Sequence, residues 1–339
     1  MKQAVMSAPG VIEYRNVPVP APGDEDVLVK IQRIGVCGSD VHVYHGKHPY
    51  TSYPVVQGHE VSGIVEAVGS EVTGIKPGDK VTIQPQVVCG TCYQCRTGRY
   101  NVCESLKVMG FQTTGAASEY FCVHVEKIHY IPESLNLDTA ALTEPLAVAV
   151  HAIRRYGNIQ NKKVLVLGAG TIGNLTAQAA KAFGAETVMI TDLSDFRLTL
   201  ASSCGIDYPV NPKELDLAGE VQKVFSPDKM DVIFEAVGVQ PTIDQAITLS
   251  RKGGDIIIIG VFGEKPEVDL GLLQDRELQI TGTLMYLEDD YKTAIRLLSE
   301  NKIQTDTLIT TRFKFDDYIQ AYKFIENAGD EAMKVIIDL

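Results

Sequence analysis

Over the first 140 or so residues, apolar and polar positions alternate in short runs broken by turns. Segments 27–32, 61–68 and 80–83 are rich in Val and Ile at strand spacing. Pro22-Gly23-Asp24 and Lys76-Pro77-Gly78-Asp79 punctuate them. Short strands with frequent turns predict a barrel-like β domain.

The pattern changes near Leu142. Residues 145–156 are apolar at helical spacing. Strands and helices then alternate: a strand at 164–167, a helix at 171–183 and a strand at 187–191. Buried strands follow at 232–234 and 256–259, with a helix at about 241–250 between them and a last strand at 278–281. Such alternation predicts a parallel, doubly wound α/β sheet. Beyond it, 289–300 and 315–327 read as amphipathic helices and 334–338 as a closing strand. The expected division is a β-rich domain at 1–145 with a cysteine lobe at 86–104, an α/β domain at 146–286, and a tail at 287–339 that folds back onto the first domain.

The 339 residues are 45% hydrophobic, enough for a core in each domain. A net charge of −12 disfavours binding to a phosphate backbone. The start, Met1-Lys2-Gln3-Ala4-Val5-Met6, lacks the basic and apolar regions of a secretory signal. No apolar run approaches the roughly 18 residues of a spanning helix. The expectation is a cytoplasmic protein with neither membrane nor nucleic-acid partner. Seven cysteines is an odd count, and in a reducing compartment clustered cysteines read better as metal ligands than as disulfides.

Cys89, Cys92, Cys95 and Cys103 have two, two and seven residues between them. Four thiolates at such spacing make a closed tetrahedral zinc site with no position left for substrate. The alternatives are disulfides, free thiols, an iron–sulfur cluster, whose common spacings differ, or a zinc ribbon on nucleic acid, which the acidic charge argues against.

The glycine run Gly168-Ala169-Gly170-Thr171-Ile172-Gly173 follows a strand and opens a helix, and Asp192 comes nineteen positions later at the end of the next strand. That context makes it a dinucleotide fingerprint. Gly168 permits the sharp turn, Gly170 lets backbone approach the pyrophosphate, and Gly173 lets helix and strand pack. The helix N-terminus, with Thr171 and Ile172 in its first turn, faces the anion. A carboxylate at Asp192 suits ribose hydroxyls and opposes a 2′-phosphate, so NAD is expected over NADP. Arg197 is the residue that could reverse this.

Other candidate ligands are scattered: Cys37 in Cys37-Gly38-Ser39-Asp40-Val41-His42, His59 and Glu60 in Gly58-His59-Glu60, and Glu144 before Pro145-Leu146. Singly, each reads as a core thiol, a turn or a helix cap. Together, and in this order with the cysteine lobe and the glycine fingerprint, they closely resemble the zinc-dependent medium-chain dehydrogenases, in particular the sorbitol (polyol) dehydrogenase-like branch. The resemblance spans essentially the whole chain. It implies a GroES-like β-rich catalytic domain joined to a Rossmann domain, with two zinc ions per subunit, one catalytic and one structural.

The same resemblance implies that Cys37, His59 and Glu60 surround the catalytic zinc. Glu144 stands where related enzymes use a second cysteine, bound directly or through water. Zinc lowers the pKa of a bound hydroxyl, and the family passes the released proton through a serine and the cofactor ribose to a histidine, here Ser39 and His42. Asp40 would orient a ligand from behind. Arg197 would pack by the adenine, and Lys334 would reach the pyrophosphate or else be a surface lysine. His45 and His48 read as ordinary loop histidines.

The chain also departs from sorbitol dehydrogenases. Val43-Tyr44 displaces a tyrosine that follows the histidine there, and Met285-Tyr286 lacks an arginine before the tyrosine. The expected pocket wall is Tyr44, Phe111, Glu144, Leu284 and Tyr286. The expected reaction is NAD-dependent oxidation of a secondary alcohol on a polyol, sugar or sugar acid. Threonine and 2,3-butanediol are alternative substrates, and a non-catalytic nucleotide sensor is the alternative class. A homodimer or homotetramer is expected from the resemblance.

Overall fold

The computed structural model describes all 339 residues, Met1–Leu339. They form two compact units. The first comprises Met1–Glu144, Leu287–Ser299 and Ile309–Leu339, and the second Pro145–Tyr286 and Glu300–Leu308.

The first unit is built on a seven-stranded sheet. Its main path runs Ile309–Lys314, Lys334–Asp338, Asp26–Val36, Glu60–Val68, Lys80–Ile83, Ile128–Tyr130, with Tyr120–His124 also pairing to Asp26–Val36. The long strand Asp26–Val36 alternates Val27, Val29 and Ile31 into the core, where they meet Val61, Val65 and Val81 from its neighbours. A hairpin, Lys2–Ala8 with Val11–Asn16, flanks this sheet, and helix Tyr318–Ala328 adds Tyr318, Ala321 and Tyr322 to the same core.

The central trio of strands positions the chemistry. Val36 lies opposite Val335 on one side, and Gly35 opposite Glu60 on the other. A Cβ at Gly35 would stand 2.2 Å from Glu60 Oε2, so only glycine leaves room for that carboxylate.

The second unit is a six-stranded, all-parallel sheet in the order Tyr208–Val210, Thr187–Thr191, Lys163–Leu167, Val232–Glu235, Asp255–Ile258, Gln279–Gly282. In chain order this is third, second, first, fourth, fifth, sixth, the dinucleotide-binding arrangement with its crevice between the first and fourth strands. Val164, Leu165, Val166 and Leu167 are all fully buried, as strands covered on both faces require.

Two details differ from the sequence expectation. Helices Asp195–Ser203 and Leu217–Phe225 and strand Tyr208–Val210 supply the middle of the α/β unit, which the apolar pattern left blank. The tail also does not return whole to the first unit. Glu300–Leu308 stays with the second, where Gln304 N donates to Gln178 Oε1 at 2.6 Å and Leu308 is fully buried.

Candidate active site

Cys37 sits at the change from strand Asp26–Val36 to helix Gly38–Tyr44 and is that helix's N-cap. Asp40 closes a capping box by accepting the Cys37 N–H on Oδ2 at 2.9 Å. Its Oδ1 faces His59 Nδ1 at 3.5 Å, which leaves Nε2 as the ring nitrogen open to a metal. His59 precedes strand Glu60–Val68, so the thiol, imidazole and Glu60 carboxylate converge with donor atoms within 4.8 Å of one another.

The donor set fits a divalent cation. His59, Glu60, Asp40 and Glu144 are each at most 5% exposed, and Lys334 is a buried cation set against them. Burying carboxylates costs several kcal/mol each unless positive charge offsets them. Desolvation lowers the His59 pKa, but Asp40 and then Cys37 outweigh it and raise it well above the ordinary value. A divalent cation at the Cys37 side of the ring would supply the positive charge that these neighbours favour.

Glu144 lies outside the converging group. It is buried, and its charge reaches Lys334 and Tyr291, raising both pKa values as the lesser of several causes. Lys334 corrects two expectations. It is no surface lysine, being 2% exposed, and its Nζ is engaged by Glu60 Oε2 at 2.5 Å and Val36 O at 3.2 Å rather than offered to a phosphate. The strand order explains this, because Lys334–Asp338 runs antiparallel beside Asp26–Val36.

Ser39 is half-buried and His42 exposed on the first two turns of helix Gly38–Tyr44. Phe111 packs on His59 and on His48, with ring centroids 4.9 Å apart in each case. Tyr44, expected as pocket wall, lies in the core: it is 7% exposed and packs against Tyr322 with tilted rings whose centroids are 5.1 Å apart. His45 pairs with Glu326, and His48 Nδ1 meets Thr51 Oγ1 at 2.7 Å. Leu284 and Tyr286 belong to the second unit, the first half-exposed and the second buried.

The four-cysteine group is closed by geometry. Sγ–Sγ distances are 3.5 Å (Cys89–Cys103), 3.8 Å (Cys92–Cys103) and 4.0 Å (Cys89–Cys95). A disulfide requires about 2.05 Å. Thiolates about 2.3 Å from one tetrahedral zinc stand about 3.8 Å apart, which these distances match. N–H groups of Thr91 and Cys92 lower the Cys89 pKa to about 6, while desolvation and hydrogen bonding to Cys92 push Cys95 up to about 12.

In the second unit Gly168 has φ +99°, and Gly173 packs so closely that a Cβ would lie 1.9 Å from Gly168 O. A Cβ on Gly170, the N-cap of helix Thr171–Ala182, meets nothing within 4 Å. That open backbone at a helix N-terminus leaves room for an anion. Asp192 Oδ2 accepts from Ala169 N at 2.8 Å and lies 3.7 Å from Arg197 Nη1.

The pattern of the alcohol dehydrogenase GroES-like domain matches residues 23–133, and that of the zinc-binding dehydrogenase matches residues 171–300. A sorbitol dehydrogenase of Halalkalibacterium halodurans is 36% identical over 97% of this chain and 96% of its own. The chain belongs to the zinc-dependent medium-chain dehydrogenases. An L-threonine 3-dehydrogenase of Pyrococcus horikoshii is likewise 36% identical, over 92% of this chain and 91% of its own. A zinc-binding dehydrogenase structure from Sinorhizobium meliloti, bound to NADP, superposes with TM-score 0.92 at 34% identity, covering 100% of this chain and 99% of that one. The first unit of this medium-chain dehydrogenase is thus its GroES-like unit and the second its Rossmann-type unit.

Sequence reading missed several residues of the dehydrogenase. Glu235, fully buried at the end of its strand, accepts from Val237 N, Gly238 N and Thr242 Oγ1, and so shapes the loop against which Gly168 packs. A lone Glu ending the apolar run Val232-Ile233-Phe234 was the available signal. Gln57, beside Asp40, carried no signal beyond an amide next to Gly58-His59-Glu60.

Proposed function

We propose that the protein is an NAD-dependent dehydrogenase that oxidises a secondary alcohol of a polyol, sugar or sugar acid to the ketone, with two zinc ions per subunit. The observation that carries this reading is the converging Cys37–His59–Glu60 group, its imidazole and carboxylate buried, found in the same unit as a closed four-cysteine group that has no reactive position.

Cys37, His59 and Glu60 would hold the catalytic ion, and Cys89, Cys92, Cys95 and Cys103 the structural one. Bound there, zinc would supply a Lewis acid that lowers the pKa of a hydroxyl, and a nicotinamide cofactor would supply the hydride acceptor. The protein's own residues do the rest. Asp40 holds the His59 ring. Ser39, half-buried, would pass the hydroxyl proton toward exposed His42, an imidazole open to water. Glu144, buried but outside the converging donors, acts through a water or by moving in. Phe111 forms an apolar wall on His59. Lys334 holds Glu60 in place.

Gly168, Gly170, Thr171, Ile172 and Gly173 would receive the pyrophosphate, Asp192 the ribose, and Arg197 the adenine edge. Replacing Asp192 with serine removes the carboxylate that opposes a 2′-phosphate. The NAD-over-NADP ratio of kcat/KM should fall about tenfold or more, roughly 1.4 kcal/mol. An unchanged ratio would remove Asp192 from cofactor choice.

The substrate class is supported by the relative named for sorbitol, a polyol, while the relative named for threonine marks the alternative. Retention of Cys37, His59, Glu60, Ser39 and His42 argues against a non-catalytic sensor. Seven free cysteines suit a reducing, cytoplasmic location, and the open edge of strand Gln279–Gly282 suits a homodimer or homotetramer. The test is NADH formation across polyols, sugar acids, diols and threonine, before and after chelation. Turnover should appear with a member of the first two classes and vanish on chelation. Chelator-insensitive turnover would overturn the zinc reading, and turnover confined to threonine or butanediol the substrate class.

A further inference from the structure

A chain of buried polar side chains runs from the His59 imidazole into the C-terminal helix. His59 Nδ1 faces Asp40 Oδ1 at 3.5 Å. The same Oδ1 accepts from Gln57 Nε2 at 3.0 Å, and Gln57 Nε2 also reaches the Asp40 carbonyl at 3.3 Å. Gln57 Oε1 accepts from Tyr322 Oη at 2.8 Å, and the Tyr318 ring lies against Tyr322 at 5.7 Å. Exposures are 1% at Asp40, 2% at Gln57 and 0% at Tyr322.

The direction of this chain is determined. A carboxylate can only accept, so the Gln57 amide must turn its nitrogen to Asp40 and its oxygen to the tyrosine. Each donor then points toward Asp40, and polarised donors in series stabilise its charge. Burying three polar groups is unfavourable unless every one is satisfied, and an apolar trio would fill the same core at less risk.

We propose that Gln57 and Tyr322 are positioning residues for the metal centre: through Asp40 they fix the orientation and donor strength of His59. The proposal rests on the zinc reading of Cys37, His59 and Glu60. Without Gln57, Asp40 keeps its contact to the Cys37 N–H but loses the partner that holds Oδ1 toward the imidazole. His59 would then rotate more freely and bind the ion less tightly. Outer partners of metal-bound histidines typically contribute about 10- to 100-fold in metal affinity.

The experiment is zinc release from the full-length enzyme to a chromophoric chelator, followed alongside thermal unfolding. Wild type should release two ions per chain in separable phases. Gln57→Met keeps the volume and removes all three side-chain hydrogen bonds. It should speed the phase that Cys37→Ser abolishes at least tenfold and leave the four-cysteine phase unchanged. Tyr322→Phe removes only the far donor and should shift the same phase less, and it serves if Gln57→Met does not fold. Lowered thermal midpoints with both release phases unchanged would overturn the proposal and make the chain merely structural. A wild type that binds one ion per chain would instead overturn the zinc reading itself.

Discussion

Cys37→Ser should abolish turnover on every substrate, by at least about 10³-fold, while the protein stays folded. The loss follows from the ligand set. Cys37 supplies the single thiolate among the converging donors, and a serine hydroxyl does not ionise at neutral pH. Lewis-acid activation contributes several kcal/mol to such a reaction, and about 4 kcal/mol is a thousandfold in rate. The fold is spared because Cys37 is also a helix N-cap, a place where serine is among the best residues. Zinc content should fall from two ions per chain to one, with the thermal midpoint of the metal-free protein nearly unchanged. Turnover close to wild type would exclude Cys37 from the reaction.

Cys103→Ser should have the opposite profile, with a large loss of stability. No residue from Val87 to Tyr100 is buried, so the lobe has no core of its own. Its ends are joined by the short strand pair Gln86–Val87 and Lys107–Val108. Between them, a metal cross-link is the main source of order. Structural zinc contributes folding free energy directly, about 10–16 kcal/mol of apparent binding in small zinc domains. Loss of even a third of that would lower the midpoint by roughly 10 °C, at about 2–4 °C per kcal/mol. Calorimetry with metal analysis checks this. An unchanged midpoint would mean that the cysteines are not a staple.

The contrast between these variants reflects what could be read in the sequence. The cysteine lobe is local, so spacing alone revealed it. The parallel sheet was legible because doubly buried strands such as Val164-Leu165-Val166-Leu167 are apolar without interruption. Strand Tyr208–Val210 was not, since three residues containing a proline carry no periodicity. Helix Leu217–Phe225 did carry one, with Leu217, Val221 and Phe225 recurring every fourth position on the buried face. The scattered ligands needed resemblance to bring them together. Resemblance in turn misdirected the reading of Lys334 and Tyr44, because it transfers positions and not contacts. Lys334 meets Glu60 across 274 residues and Tyr322 meets Gln57 across 265. No local pattern encodes such encounters.

Those long separations also order events in time. Cys89 to Cys103 spans fifteen residues, so the lobe can take up its ion while the chain is still being synthesised. The other centre must wait. The lysine that balances Glu60 and the tyrosine that braces Gln57 both lie within the last eighteen residues. A nascent chain lacking them would expose an anionic pocket with neither its counter-charge nor its brace. On the proposed zinc reading, the reactive pocket is therefore complete only once helix Tyr318–Ala328 and strand Lys334–Asp338 have packed onto the first sheet.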